Sequence, residues 1–114
     1  MKIDRFEDML IWQEARIITL EVYEIFKGCK DFSFIDQIQR ASVSIMNNVS
    51  EGFERGSNKD FVRFLFIAKS SCAEVRSMLH LALGLKYIQK EEFDNMYNRS
   101  EKISKMISSL IKKL

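Results

Sequence analysis

The chain has 114 residues, 46% hydrophobic and 30% charged, a balance that sets one domain with one modest core and excludes a disordered chain. Proline is absent and glycine occurs four times, which argues against turn-rich β-sandwich and α/β folds and for a few long helices with short connections. The net charge of +2 makes no case for a nucleic-acid partner by itself, and two cysteines and one histidine support neither a disulfide framework, a CxxC site nor a di-metal bundle.

The start, Met1 to Asp8, lacks the apolar stretch of a signal peptide, and apolar runs reach only about four residues, so a soluble cytoplasmic protein is expected. The first helix is expected over about Phe6 to Lys27. Ile11, Ala15, Ile18, Val22 and Ile25 recur at steps of four and three, one buried stripe, with Trp12, Thr19 and Phe26 beside it. Trp12 reads as packing or as an interface anchor. Gly28 is the expected C-cap, ahead of a break at Cys29-Lys30-Asp31.

The second helix is expected from about Ser33, its N-cap, to Phe53. Ile35, Ile38, Ser42, Ile45 and Val49 form its apolar seam. Gly52 to Gly56 is read as its end. The third helix starts near Ser57, where Ser57-x-x-Asp60 resembles a capping box with Asp in place of Glu, and continues to about Lys86. Phe61, Ala68, Val75 and Ala82 share one heptad position, and Leu65, Cys72 and Leu79 another. Cys72 at that spacing reads as a buried reduced thiol. Phe64, Phe66, Ile67, Met78, Leu81, Leu83 and Leu85 fall outside the seam, an apolar excess that suggests a subunit interface. The fourth helix is expected over about Lys90 to Lys113. Its stripe is Phe93, Met96, Tyr97, Ile103, Met106, Ile107, Leu110, Ile111 and Leu114. Residues 1–114 are therefore read as one all-α domain, an antiparallel up-down-up-down four-helix bundle.

Charge is distributed unevenly. Residues 1–36 carry −3, residues 37–54 carry −1, residues 55–90 carry +5 and residues 91–114 carry +1. The tail from Arg99 to Leu114 holds five basic residues and one acid. The basic candidates on the third helix are Arg55, Lys59, Arg63, Lys69 and Arg76. At about 100° per residue, Lys59 and Arg63 stand about 40° apart and Lys69 and Arg76 about 20° apart, with Lys69 about 120° round from Arg63, so they form two groups. A second constellation is polar. Arg40, Ser44, Asn48 and Glu51 step by four, four and three along one helix face, with Glu74 expected near them as a buried network that fixes helix register. Glu51 and Glu74 could also act as acid and base. No phosphate loop, GxSxG or HExxH motif occurs, and no enzymatic activity, cofactor or metal is expected. His80 receives no role.

Three blocks carry a family resemblance. The first is Phe6-Glu7-Asp8-Met9 with Ile11-Trp12-Gln13 and Ala15. The second is Arg40-Ala41-x-x-Ser44-Ile45-x-x-Asn48-Val49-x-Glu51-Gly52. The third is Ser57-x-Lys59-x-Phe61-x-Arg63-Phe64-Leu65-x-Ile67-Ala68, continuing to Ser71 and Glu74. The chain resembles the four-helix bundle proteins encoded within intervening sequences of bacterial 23S rRNA genes, a family that includes the accessory variability determinant of diversity-generating retroelements. Met46 stands where proline is frequent and Lys69 where glycine is common. The resemblance implies a homopentamer without catalytic activity. For the retroelement branch it implies binding of nucleic acid and a reverse transcriptase. A pentamer would carry about +10 and turn each basic group into a ring able to engage phosphates. The other reading is a protein-interaction scaffold with no nucleic-acid contact. No membrane partner is expected.

Overall fold

Helix α1 begins where the apolar period begins. A computed structural model describes residues 2–114 and places α1 at Leu10–Ile25, preceded by a 3₁₀ turn at Phe6–Asp8. The expected start at Phe6 is corrected. Stepping the stripe back from Ile11 by three and seven meets Asp8 and Asp4, which cannot enter the core. Met9 instead turns extended (φ −80°, ψ 128°), buries its own side chain, and lets Phe6 pack edge-on against Trp12 at 5.2 Å. Trp12 is half-buried against the core. Gln13 Nε2 holds the turn by donating to Glu7 O at 2.9 Å.

Helix α1 ends at Phe26 (φ −97°, ψ 12°), so Gly28 lies in the following turn and is not its cap. Helix α2 spans Phe32–Glu54. Its N-cap is Asp31, two residues before the expected Ser33. Asp31 Oδ1 accepts from Phe34 N at 3.3 Å, and Ser33 only donates to the same carboxylate. Tyr87 donates its phenol O–H to Asp31 Oδ2 at 2.6 Å, which ties the α1–α2 turn to the α3–α4 turn. The bond holds the Asp31 carboxyl below its ordinary 3.8 and pushes the Tyr87 phenol up to about 12.

Helix α3 spans Asn58–Gly84. Ser57 Oγ accepts from Asp60 N at 3.2 Å, as the sequence predicts, but Asp60 is a methylene too short to close the box and pairs with Arg63. Gly56 enters this cap at φ 84°, the one place where a glycine is needed for its backbone freedom. At the far end Tyr87 N donates to Ala82 O (2.8 Å) and Lys86 N to Leu83 O (3.0 Å), a Schellman motif with Lys86 left-handed at φ 64°. Helix α4 spans Lys90–Lys113, opened by a capping box between Gln89 and Glu92.

Each helix packs on its neighbours in chain order and α4 closes on α1, giving an antiparallel four-helix bundle of 42 × 22 × 20 Å. The core is the expected seam. Ile18, Ile38, Ile45, Leu65, Leu79, Ile103 and Ile107 are fully buried around Ala15, Ala68 and Ala82. Cys72 is buried there, and desolvation pushes its thiol up to about 12 against the pull of Arg76. Polar links cross every interface. Thr19 Oγ1 donates to Ser42 O between α1 and α2, and Ser71 Oγ to Ser44 Oγ between α2 and α3. Ser100 Oγ donates to Cys72 O between α3 and α4. Between α4 and α1, Arg99 Nη1 donates to Glu14 Oε1 at 2.7 Å, with Arg99 Nε 2.8 Å from Glu21 Oε1 without hydrogen-bond alignment. No helix among the described residues is long and apolar enough to cross a membrane.

Candidate functional site

The structure brings only part of the expected polar network together. Asn48 Nδ2 donates to Ser44 O and Ser44 Oγ, and Ser71 Oγ completes the cluster from α3. Arg40 is exposed and pairs with Asp36 at 2.9 Å; Glu51 is exposed and pairs with Arg55 at 3.1 Å. Glu74 is exposed on α3. These three are corrected from buried network to solvated surface. The reason is geometric: a face holding Arg40, Ser44 and Asn48 spans the edge of the α2–α3 contact, so its short side chains reach α3 and its long ones reach water. Ser71 is named in the third resemblance block but not placed in the network, because on its own helix it is only a small polar residue next to a heptad position. The acid–base pair also separates. Gly52 lies against Phe61 and Phe64, which sets the level of Glu51, and Glu74 stands ten residues beyond Phe64, about 15 Å along the axis.

The basic residues occupy two places. Arg55, Lys59 and Arg63 are exposed around the start of α3. There the guanidiniums of Arg55 and Arg63 lie over the Phe64 ring, at 4.9 and 4.7 Å from its centroid, and each also has a carboxylate, Glu51 and Asp60. Much of this group's charge is thus answered locally.

Lys69 and Arg76 instead face α4. They line a groove of about 450 Å³ with Lys105 and Lys112 of α4, floored by Ser104, Ser108 and Ser109, with Glu101 its one carboxylate. Among the described residues none of these four cations forms an ion pair. Arg76 Nη1 is buried without a hydrogen-bond partner, a costly state for a guanidinium nitrogen. Lys105 and Lys112 were missed as site residues, although the basic tail after Arg99 pointed to them. The period that aims Lys69 and Arg76 away from Arg63 leaves open which neighbour they meet.

Four aliphatic or aromatic side chains on the outer face of α3 remain in solvent. Phe66 and Ile67 lie at one end and Leu81 and Leu85 at the other, flanking the small residues Ser70, Ala73 and Ser77. Phe64 and Met78, also outside the heptad seam, are buried.

Comparison with solved structures finds a protein of unknown function from the S23 ribosomal protein family of Bacteroides thetaiotaomicron. Its TM-score is 0.85 at 27% identity, over 90% of this chain and 99% of that one. Comparison with curated proteins gives no match. The description "23S rRNA-intervening sequence protein" matches over residues 7–109, nearly the whole bundle and all three sequence blocks but for Phe6. The chain belongs to the 23S rRNA-intervening sequence protein family.

Proposed function

We propose that this protein is a non-enzymatic, homopentameric cytoplasmic bundle that binds nucleic acid, or a nucleic-acid-processing partner such as a reverse transcriptase, through its basic surface. The observation that carries the reading is the α3–α4 groove, where Lys69, Arg76, Lys105 and Lys112 gather against Glu101 alone and Arg76 keeps an unanswered N–H. Backbone phosphates supply acceptors of the right charge, and binding gains from release of their counterions. No aromatic side chain lines the groove, so recognition is by charge and shape, not by base stacking. The exposed α3 face is the surface through which copies associate, and five copies repeat each basic group as a ring.

Filter-binding titrations with an RNA hairpin and a DNA duplex at two salt concentrations test this. Four phosphate contacts per groove give a slope of log K against log salt of about −3 to −4. Arg76→Gln with Lys112→Gln should weaken binding and flatten that slope, and Arg55→Gln with Arg63→Gln should do so less. No binding at low salt by the assembled protein overturns the proposal. Light scattering near 67 kDa is expected for five copies, and about 13 kDa removes the ring. The second reading, a scaffold without nucleic-acid contact, is supported by the same apolar face of α3. A partner protein retained after nuclease treatment favours it.

A further inference from the structure

A second groove lies on the other side of α4. Helix α1 has 16 residues and α4 has 24, so they extend about 24 and 36 Å. Because the two run antiparallel, the start of α1 meets the last turns of α4. The chain there is an extended Met9 and a single 3₁₀ turn. About 12 Å of α4, a little over two turns, therefore lacks a helix on its α1 side. The result is an open groove of about 720 Å³ between the N-terminal segment and the C-terminal half of α4.

Glu101, Lys105 and Ser109 of α4 border both grooves, but this one has an apolar floor. Met9, Ile11, Met106 and Leu110 form the floor, and Leu10 stands 56% exposed at its edge. Lys102, Lys105 and Lys113 form the rim, with Glu101 the one acid. Of these three lysines only Lys102 approaches a carboxylate, Glu14 Oε1 at 3.7 Å, which Arg99 already holds at 2.7 Å.

We propose that this groove is the docking site of a short amphipathic helix bearing acidic residues, supplied by a partner protein. Such a helix continues the line of α1 and restores the missing turns of the fourth position. Its apolar side chains at i, i+3, i+4 and i+7 sit on the Met106–Leu110 floor, as in helix-in-groove recognition. Its flanking carboxylates meet the lysine rim, which selects against cationic helices. A small ligand would be mostly enclosed by its site, whereas this groove is open along one side, as a docked helix that keeps a wet face requires. A peptide so short is marginally helical in water and orders on docking. The proposal does not depend on nucleic-acid binding.

The test uses a fluorescein-labelled, end-capped 12-residue peptide with leucines at that spacing and glutamates beside them, and a control with lysine at each glutamate. Anisotropy titrations of the full-length protein should show saturable binding of the acidic peptide and roughly tenfold weaker binding of the lysine peptide. Leu110→Asp, at a half-exposed position, should weaken the acidic peptide by tenfold or more. Lys102→Glu with Lys113→Glu, which line only this groove, should reverse the preference between the two peptides. Equal binding of both peptides, or binding indifferent to Leu110→Asp, overturns the proposal. So does a drop in oligomer mass on Leu110→Asp, which would make a second copy the occupant. Retained RNA binding by the Lys102/Lys113 variant separates this result from failure of the nucleic-acid reading.

Discussion

Gly52→Ala and Gly84→Ala are the same substitution in two helices, and the structure assigns them opposite signs. Gly52 is buried inside α2, and a Cβ there would stand 2.7 Å from Phe64 Cβ and 3.0 Å from Phe61 Cδ1. The Phe61 ring edge can swing, but Phe64 Cβ is fixed to the α3 backbone, so the methyl must push α2 away from α3. Such overpacking costs about 1–3 kcal/mol. Alanine in place of glycine within a helix returns about 0.5–1 kcal/mol. The net loss is about 0.5–2 kcal/mol. Gly84 closes α3 with nothing within 4 Å of its Cβ position, so only the gain applies. One kcal/mol moves the melting temperature of a chain this long by roughly 4 °C. Thermal unfolding followed by circular dichroism, at matched protein concentration, should show Gly52→Ala lowered by roughly 2–8 °C and Gly84→Ala raised by roughly 2–4 °C. If both rose together, α2 and α3 would not meet through Gly52, and the register that sets Ser44 against Ser71 would be wrong.

Lys86→Gly should stabilise by about 1 kcal/mol in the same assay, because Lys86 holds a left-handed φ of 64° at the C′ position of its Schellman motif. Arg99→Ala should cost about 1–3 kcal/mol, read by urea unfolding, since it leaves the nearly buried Glu14 with only Lys102 at 3.7 Å and strips the closer charged clamp between α1 and α4. Tyr87→Phe should destabilise by an amount that depends on pH. Asp31 titrates lower when folded, so its bond stabilises above 3.8 and fades as pH falls through the folded value; Tyr87 titrates higher when folded, so its share is complete below 10 and fades as pH rises through about 12. The difference from wild type should be flat between about pH 5 and 9 and shrink on both sides. Iodoacetamide at pH 8 should label Cys29 and spare Cys72, whose thiol is buried with its pKa up to about 12; mass spectrometry showing rapid double labelling would mean that α3 opens.

Periodicity made the bundle legible. All seven heptad positions of α3 are buried, the bounds of α4 hold to the residue, and Ser57 caps as its spacing predicts. Errors fell where a residue has two meanings. Gly52 reads as a helix terminator, because glycine usually is one, yet α2 runs through it and the missing Cβ is what lets α3 approach. Asp31 and Ser33 are both good caps, and the choice is settled by Tyr87, which lies 56 residues away. Lys86 gives no cue at all, since lysine rarely takes φ of 64°. The polar constellation on α2 had the right spacing and the wrong reach: a helical face says which residues line up, not which of them are short enough to stay in the interface.

The charge tally misleads for a related reason. Counted along the chain, residues 91–114 carry only +1. In space Glu91 and Glu92 sit in the first turn of α4, where the capping box and the helix dipole favour them, and Lys112 and Lys113 sit in its last turn, where the same dipole favours cations. The basic end of α4 thus has a local explanation that needs no ligand. Lys69 and Arg76 do not. They stand in the interior of α3, where the dipole offers nothing, and they face the lysines of α4 with no carboxylate paired to any of them. Folding gains nothing from placing like charges across a helix contact, and a half-buried guanidinium with an unanswered N–H adds a desolvation cost. Arg55 and Arg63 show the alternative within the same molecule, each provided with a carboxylate and an aromatic face. Because this arrangement opposes stability in the free chain, we place the proposed phosphate site in the groove and not at the arginine-rich start of α3.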